Sequence, residues 1–378
     1  MTKAVVIGGR KVAFGGRSVT FRRRLPRITV EGKQFMRLGT EFKAWGFNPH
    51  DANFNDDPQY WLAWQTRGNA LMGANTTRFF VQMWDLITGP DKDNLSVKEP
   101  GMSNFIAQLD MSRENGVYAL VCGANVTYPE NPIYAEQLAW YDLLSNEERW
   151  NVQAFFWSSV AQAALDSGNS TTVIGYDLMN EPRPSTDPAE PWYGSAYPGS
   201  AAYFSPFFAR GIPSDQFLSK AAEWLTQLTT AIKAVDPDAL CTLGNFPYTG
   251  GVFGIPNTEN ILDFASPHFY PPQTNDPGTQ AFMLNMIAGW VASDMAVLVG
   301  EWEGWNTVVP EFNVEMLEAL VDGVQGIISH NFGYGPEWFT EPPEVPRPPA
   351  LPDMIPGNYA FFKTSLELFN SYRDSFVL

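Results

Sequence analysis

The sequence predicts an α/β fold, a (β/α)8 TIM barrel with an N-terminal β-hairpin segment and long strand-to-helix loops, on three observations. Eight short apolar runs read as buried strands, and helical patterns follow all but one of them; so regular an alternation fits a closed barrel better than an open doubly wound sheet. The long connections all follow strands, the side on which a barrel carries its variable loops. The chain has 378 residues, 44% of them hydrophobic, enough for one large core, so residues 1–378 are expected to form a single barrel domain.

The elements follow in chain order. Residues 4–37 alternate apolar and polar around Gly8-Gly9, Gly15-Gly16 and Glu31-Gly32-Lys33, which predicts short hairpins, and segment 1–37 is placed as a cover over the barrel bottom. The predicted strands are Arg37–Gly46, Asn75–Met83, Val117–Ala124, Val173–Met179, Ala239–Gly244, Phe264–Tyr270, Ala296–Trp302 and Gly326–Phe332. Helical spacing predicts helices over Pro58–Arg67, Ser103–Asn115, Asn146–Asp166, Asp215–Val235, Thr279–Ser293 and Val314–Asp322, with a last one near Asn358–Tyr372. Only Phe246–Leu262 shows no clear helical period. The long connections are Asn125–Leu144, Arg183–Ser214 and Gly333–Gly357. The second is rich in aromatics (Trp192, Tyr193, Tyr197, Tyr203, Phe204, Phe207, Phe208) and could wall off one side of a cleft. The third carries Pro342-Pro343, Pro348-Pro349 and Pro352 and is therefore stiff.

Composition narrows the partners. Forty-one acidic against 24 basic side chains give a net charge of −17, which repels phosphate backbones and anionic lipid, so nucleic acid and membrane surfaces are not expected partners. The Arg22-Arg23-Arg24 run reads as a solvated strand face. Cys122 and Cys241 both lie in apolar runs and read as small buried hydrophobes, and three histidines with no ligand spacing point to no metal and no cofactor. The N-terminus lacks a signal-peptide pattern, so either the chain is not exported by that route or a leader is absent from this sequence. Thirteen tryptophans exceed what a core usually needs; they suit a cleft that stacks on sugar rings, although any one of them can equally be packing.

Two strand ends carry the chemistry. Val173–Arg183 runs from apolar residues into Asn180-Glu181-Pro182, which places Glu181 at the carboxyl end of a buried strand, and Ala296–Trp302 ends in Gly300-Glu301-Trp302. Paired carboxyls at a barrel mouth are what glycoside cleavage requires, one to attack and one to protonate the departing oxygen. Glu303 shares a strand face with Glu301 by two-residue alternation, and this pattern alone does not choose between them.

With Ile174–Arg183 (apolar residues, Asp177, an apolar pair, then Asn180-Glu181-Pro182-Arg183), the chain resembles glycoside hydrolase family 5, retaining (β/α)8 glycosidases of the cellulase and mannanase type. Val299-Gly300-Glu301-Trp302, Ser266-Pro-His268-Phe-Tyr270 and Gly73-Ala-Asn75-Thr-Thr-Arg78 fit further strand ends of that family, so the anchors span residues 73 to 302. The resemblance implies Glu181 as acid/base and Glu301, directly after Gly300, as nucleophile. It also implies that His268 lines the sugar site and Tyr270 donates to the nucleophile. Asn180 would reach the sugar 2-hydroxyl or serve as a turn residue; Arg78 would hold Glu301 ionised or bridge strands structurally. Ionised Glu301 would in turn keep Glu181 protonated. Trp45, Trp84, Trp302 and Trp305 are candidate stacking residues. Two departures stand out: where the family has a histidine after strand 3 this chain offers Asn125, and after strand 8 the nearest tryptophan is Trp338, beyond Ile328-Ser-His330-Asn-Phe332. The expected function is cleavage of β-glycosidic bonds in a neutral oligo- or polysaccharide, of β-glucan or β-mannan type, by double displacement. The competing readings are a non-catalytic carbohydrate-binding barrel and a transglycosylase on the same site.

Overall fold

The computed structural model describes residues 12–14, 17–19, 24–49, 70, 73–124, 140–190, 192–194, 205–248, 250–304, 306–332 and 367–377. At its centre lie the parallel strands β1 (Ala44–Pro49), β2 (Thr76–Gln82), β3 (Tyr118–Ala124), β4 (Val173–Asp177), β5 (Cys241–Thr242, resuming as Gly244–Asn245), β6 (Ser266–Phe269), β7 (Leu298–Trp302) and β8 (Gly326–Phe332). Each pairs in parallel with the next, and β8 pairs with β1. The two halves of β5 take different partners, Cys241–Thr242 lying on β4 and Gly244–Asn245 on β6. The ring therefore closes through β5, interrupted only at Leu243. Strands buried on both faces explain the apolar stretches Phe79–Val81 and Leu298-Val299 within the wholly buried β2 and β7.

Helices form where the sequence supplies both a period and a stop. Asn146–Asp166 begins with a capping box, in which the Ser145 side chain accepts from the Glu148 N–H and Glu148 reaches back to Ser145. Pro277–Val291 is capped by Asp276, and Glu99–Asn115 ends on Gly116 at φ +75°, a left-handed C-cap. Phe217–Val235 and Pro310–Val321 complete the long helices among the described residues. Several tryptophans are spent here: Trp150, Trp157, Trp224 and Trp290 are buried, and each indole N–H donates to a protein acceptor. Among the described residues no helix is long and apolar enough to cross a membrane.

Below the strands, Leu25, Ile28, Phe35 and Phe42 pack into one cluster with Ala44, Tyr118, Leu120, Ile174, Phe264, Ala296, Leu298 and Ile328, and so plug the N-terminal end of the barrel. The plug is a hairpin, Ile28–Glu31 with Gln34–Arg37, turned at Gly32 with φ +60°.

Three sequence expectations shift and one holds. The run 37–46 is not one strand: Leu38 and Gly39 both have positive φ, a tight turn that sends Thr40–Glu41 back along Gln34–Arg37, and β1 starts at Ala44. The helices over 103–115, 279–293 and 314–322 begin earlier, at Glu99, Pro277 and Pro310, because a proline in the first turn starts a helix rather than breaking it. The stretch after β5, which shows no clear helical period in sequence, indeed contains among its described residues only the four-residue helix Ile255–Thr258. The connection 183–214 carries a small sheet of Arg183–Pro184, Tyr193–Gly194 and Ser205–Ala209, and its Trp192, Phe207 and Phe208 are buried. The predicted helix over 58–67 and the loop over 333–357 lie outside the described residues, as do most of the loop over 125–144 and the start of the last helix.

Candidate active site

Side chains from β1, β2, β3, β4, β6, β7 and β8, or from the residues just beyond them, converge on one buried polar cluster. Parallel register fixes the first contacts: His268 of β6 lies opposite Glu301 of β7, so their side chains share a layer of the barrel. Glu181 stands four residues beyond β4 with φ +48°, a left-handed conformation that is uncommon for a glutamate. Such strain costs about 1–3 kcal/mol and persists only where neighbours enforce it. Here the backbone N–H of Glu181 donates to the Gly244 carbonyl at 2.7 Å and that of Asn180 to the Gly123 carbonyl at 3.0 Å, fixing the turn to β3 and β5.

Arg78 organises the cluster from below. Its guanidinium is fully buried and donates to Glu301 Oε1 at 2.5 Å, to Asp177 Oδ2 at 3.0 Å, to Asn180 Oδ1 at 2.7 Å and to Cys122 Sγ at 3.1 Å. Asp177 is held in turn by the Gly244 N–H, 2.6 Å from Oδ1. Only glycine fits at 244, because a Cβ there would stand 2.8 Å from Arg78 Nη2, Asp177 Oδ2 and His268 Nε2. The other oxygen of Glu301 accepts the Tyr270 hydroxyl and lies 3.4 Å from His268 Nδ1; that same nitrogen is 2.9 Å from Glu181 Oε1. His268 Nε2, buried, has no hydrogen-bond partner among the described residues.

These contacts set the charge of Glu301. Burial alone opposes its ionisation, but His268, His330, Arg78 and the Tyr270 hydroxyl outweigh it and hold the carboxyl well below the usual range. Burial, with Glu301, Glu181 and Glu303 nearby, pushes the Tyr270 phenol well up, so Tyr270 remains a donor. Burial likewise pushes the Cys122 thiol well up.

Of the residues expected from sequence, Arg78, Asn180, Glu181, His268, Tyr270 and Glu301 come together. One potential ligand atom from each of Glu181, His268 and Glu301 lies within 4.8 Å of the others, spacing that could also suit a cation. Arg78 and Tyr270 already engage the two oxygens of Glu301, so its charge is compensated by protein groups. The structure does not bring Trp45 and Trp302 to this cluster. Both are fully buried against the last helical segment, with ring centroids 3.9 and 5.6 Å from Phe369, in stacked geometry. Trp84 is buried in the short helix Met83–Leu86, and Asn125, Trp305 and Trp338 lie outside the described residues.

Sequence reasoning missed Asn48, Cys122 and His330 as members. Asn48, at the end of β1, has its amide placed to accept from Arg78 Nη1 and donate to the Arg78 carbonyl, both at 2.9 Å. Nothing local marks it. His330 did carry a signal, a histidine in the polar end of an otherwise apolar strand. Its Nε2 stands 3.8 Å from Glu301 Oε2 and its Nδ1 3.5 Å from Glu303 Oε2.

Comparison with known proteins adds to this geometry. Among solved structures, an endo-1,4-β-mannanase from Rhizomucor miehei superposes with a TM-score of 0.57 at 14% identity, over 80% of this chain and 90% of that one. An exo-β-1,4-mannosidase from Opitutaceae bacterium strain TAV5 gives 0.61 at 17%, over 91% of this chain and 62% of that one. The catalytic domain of a Thermobifida fusca endoglucanase gives 0.51 at 15%, over 82% and 85%. At such identities the likeness establishes the barrel fold. A search of curated protein sequences finds no match. The family model for cellulase, glycosyl hydrolase family 5, matches residues 63–330, most of the chain and every member of the cluster except Asn48. The chain belongs to glycosyl hydrolase family 5.

Proposed function

We propose that the protein is a retaining glycoside hydrolase that cleaves β-linked neutral glycans of the mannan or glucan type. The observation that carries this reading is the approach of Glu181 and Glu301, an oxygen of each within 4.8 Å. Retaining enzymes keep their carboxyls about 5–5.5 Å apart, whereas inverting ones leave about 6.5–9.5 Å for a water. Glu301, held ionised, attacks the anomeric carbon as Glu181 gives its proton to the departing oxygen. The resulting glycosyl ester is hydrolysed when water, giving a proton to Glu181, bonds through its oxygen to the anomeric carbon and the bond to Glu301 breaks, which returns the Glu301 carboxylate and a protonated Glu181. His268 orients Glu181 through the 2.9 Å contact, and Tyr270 and Arg78 fix the two oxygens of Glu301. Asn180, with its amide oxygen on Arg78, turns its amide nitrogen to a sugar hydroxyl. The mannanase, mannosidase and endoglucanase among the structural relatives support mannans and glucans as the first substrates to try.

The test is a panel of soluble mannan, glucomannan, mixed-linkage β-glucan, carboxymethyl cellulose and aryl β-mannoside and β-glucoside, with sizing of products and NMR of the first anomer formed. The expected result is release of a β-anomer from at least one substrate. Binding without release would favour a carbohydrate-binding barrel, transfer to acceptor sugars in place of water a transglycosylase, and an initial α-anomer would refute the retaining mechanism.

A further inference from the structure

We propose that His330, held beside the buried Glu303, is a positioning residue for Glu301: its charge biases the oxygen through which that carboxylate acts. The proposal rests on the catalytic reading of Glu301 above. It stands on geometry at the ends of β7 and β8. Glu303 is almost fully buried, with a side-chain exposure of 2%, two residues past Glu301 and just beyond the end of β7. A carboxylate so placed needs a cation or a donor to offset its lost hydration. The His330 imidazole lies between the two carboxylates, Nδ1 toward Glu303 and Nε2 toward Glu301 Oε2, the oxygen that also takes the Tyr270 hydroxyl. Tyr270 closes the third side, its ring edge-on to the imidazole with centroids 5.7 Å apart.

Among the described residues, the titratable groups that act on His330 include Glu301 and Glu303 from the end of β7, Tyr270 from the end of β6 and Arg78 from β2. Burial and Arg78 disfavour its charge, but the two carboxylates prevail and its proton is held above the ordinary histidine range. The 3.8 Å to Glu301 Oε2 is a charge contact, longer than a hydrogen bond. His330 therefore biases that oxygen electrostatically and leaves its lone pair open to the anomeric carbon.

The test uses the full chain and its three histidines, few enough for each imidazole to be followed by NMR. The expected result is a His330 titration midpoint above about 6.5 that falls by half a pH unit or more in Glu303→Gln and in Glu301→Gln. A midpoint at or below that value, or one unmoved by both substitutions, overturns the proposal. A second readout is the acid limb of kcat/KM on an aryl β-glycoside: in His330→Gln it moves to higher pH, because Glu301 loses a cationic neighbour, whereas a merely structural residue would lower the rate without moving the limb. An unmoved limb also overturns it. If no glycoside is cleaved at all, the function proposed above fails, and the NMR titration still decides whether His330 is coupled to the two carboxylates.

Discussion

Replacing Arg78 by methionine probes the cluster most directly. The methionine keeps an unbranched stem of similar length, so the change is chiefly electrostatic. Arg78 is fully buried and holds Glu301 Oε1 at 2.5 Å and Asp177 Oδ2 at 2.9 Å, both themselves buried. At an effective dielectric near 20, unit charges 4 Å apart interact by about 4 kcal/mol. Removing one partner of a buried pair costs about 3–5 kcal/mol, because the other charge is left uncompensated. The Arg78→Met variant is therefore expected to lose about 3–5 kcal/mol at pH 7.5 in urea denaturation followed by tryptophan fluorescence. The pH dependence has a definite sign. Glu301 is held below its ordinary range, so in the wild type its contribution is present above the unfolded-chain value of about 4.3 and lost as pH falls through the lower folded value. Without Arg78 the carboxyl takes up its proton at higher pH, so the gap between variant and wild type narrows from pH 7.5 to pH 4.5. A loss under about 1 kcal/mol at pH 7.5, or a gap that widens toward acid, would refute this account of the cluster.

Other outcomes follow from the same geometry. Glu181→Gln should lower turnover of an unactivated glycan by about 10²–10⁴-fold, the usual worth of a general acid, yet spare the first step on a dinitrophenyl glycoside, whose leaving group needs no proton; equal losses on both would remove Glu181 from the acid role. Glu301→Gln should abolish turnover of both substrates and prevent formation of a glycosyl-enzyme detectable by mass spectrometry. Gly244→Ala puts a methyl group 2.8 Å from three polar side-chain atoms of the cluster and should cut kcat at least tenfold while far-UV circular dichroism is unchanged. Trp45→Ala should lower stability by about 3–5 kcal/mol, as for other large-to-small core changes, with KM within twofold of wild type, since its ring packs on Phe369; a large rise in KM would instead return Trp45 to the sugar site.

What the sequence determined by itself was the frame. Apolar runs such as those in Val173–Asp177 and Leu298–Trp302 suit strands buried on both faces of a parallel sheet, and their spacing leaves room for the intervening helices, so strand order and the position of Glu181 and Glu301 at strand ends were legible in the sequence. Local signals misled where a turn looked like a strand, at Leu38-Gly39, and where a first-turn proline hid a helix start. The tertiary structure decided which side chains meet. Asn48, Arg78, Cys122, Asp177, Asn180, His268, Tyr270, Glu301 and His330 come from seven of the eight strands or the residues just beyond them, and only barrel closure and register bring them into one cluster. It also sent Trp45 and Trp302, residues that the sequence makes candidates for stacking on sugar, outward to Phe369. A strand's alternation tells that successive side chains take opposite faces, but which face looks into the barrel depends on neighbours hundreds of residues away in the chain.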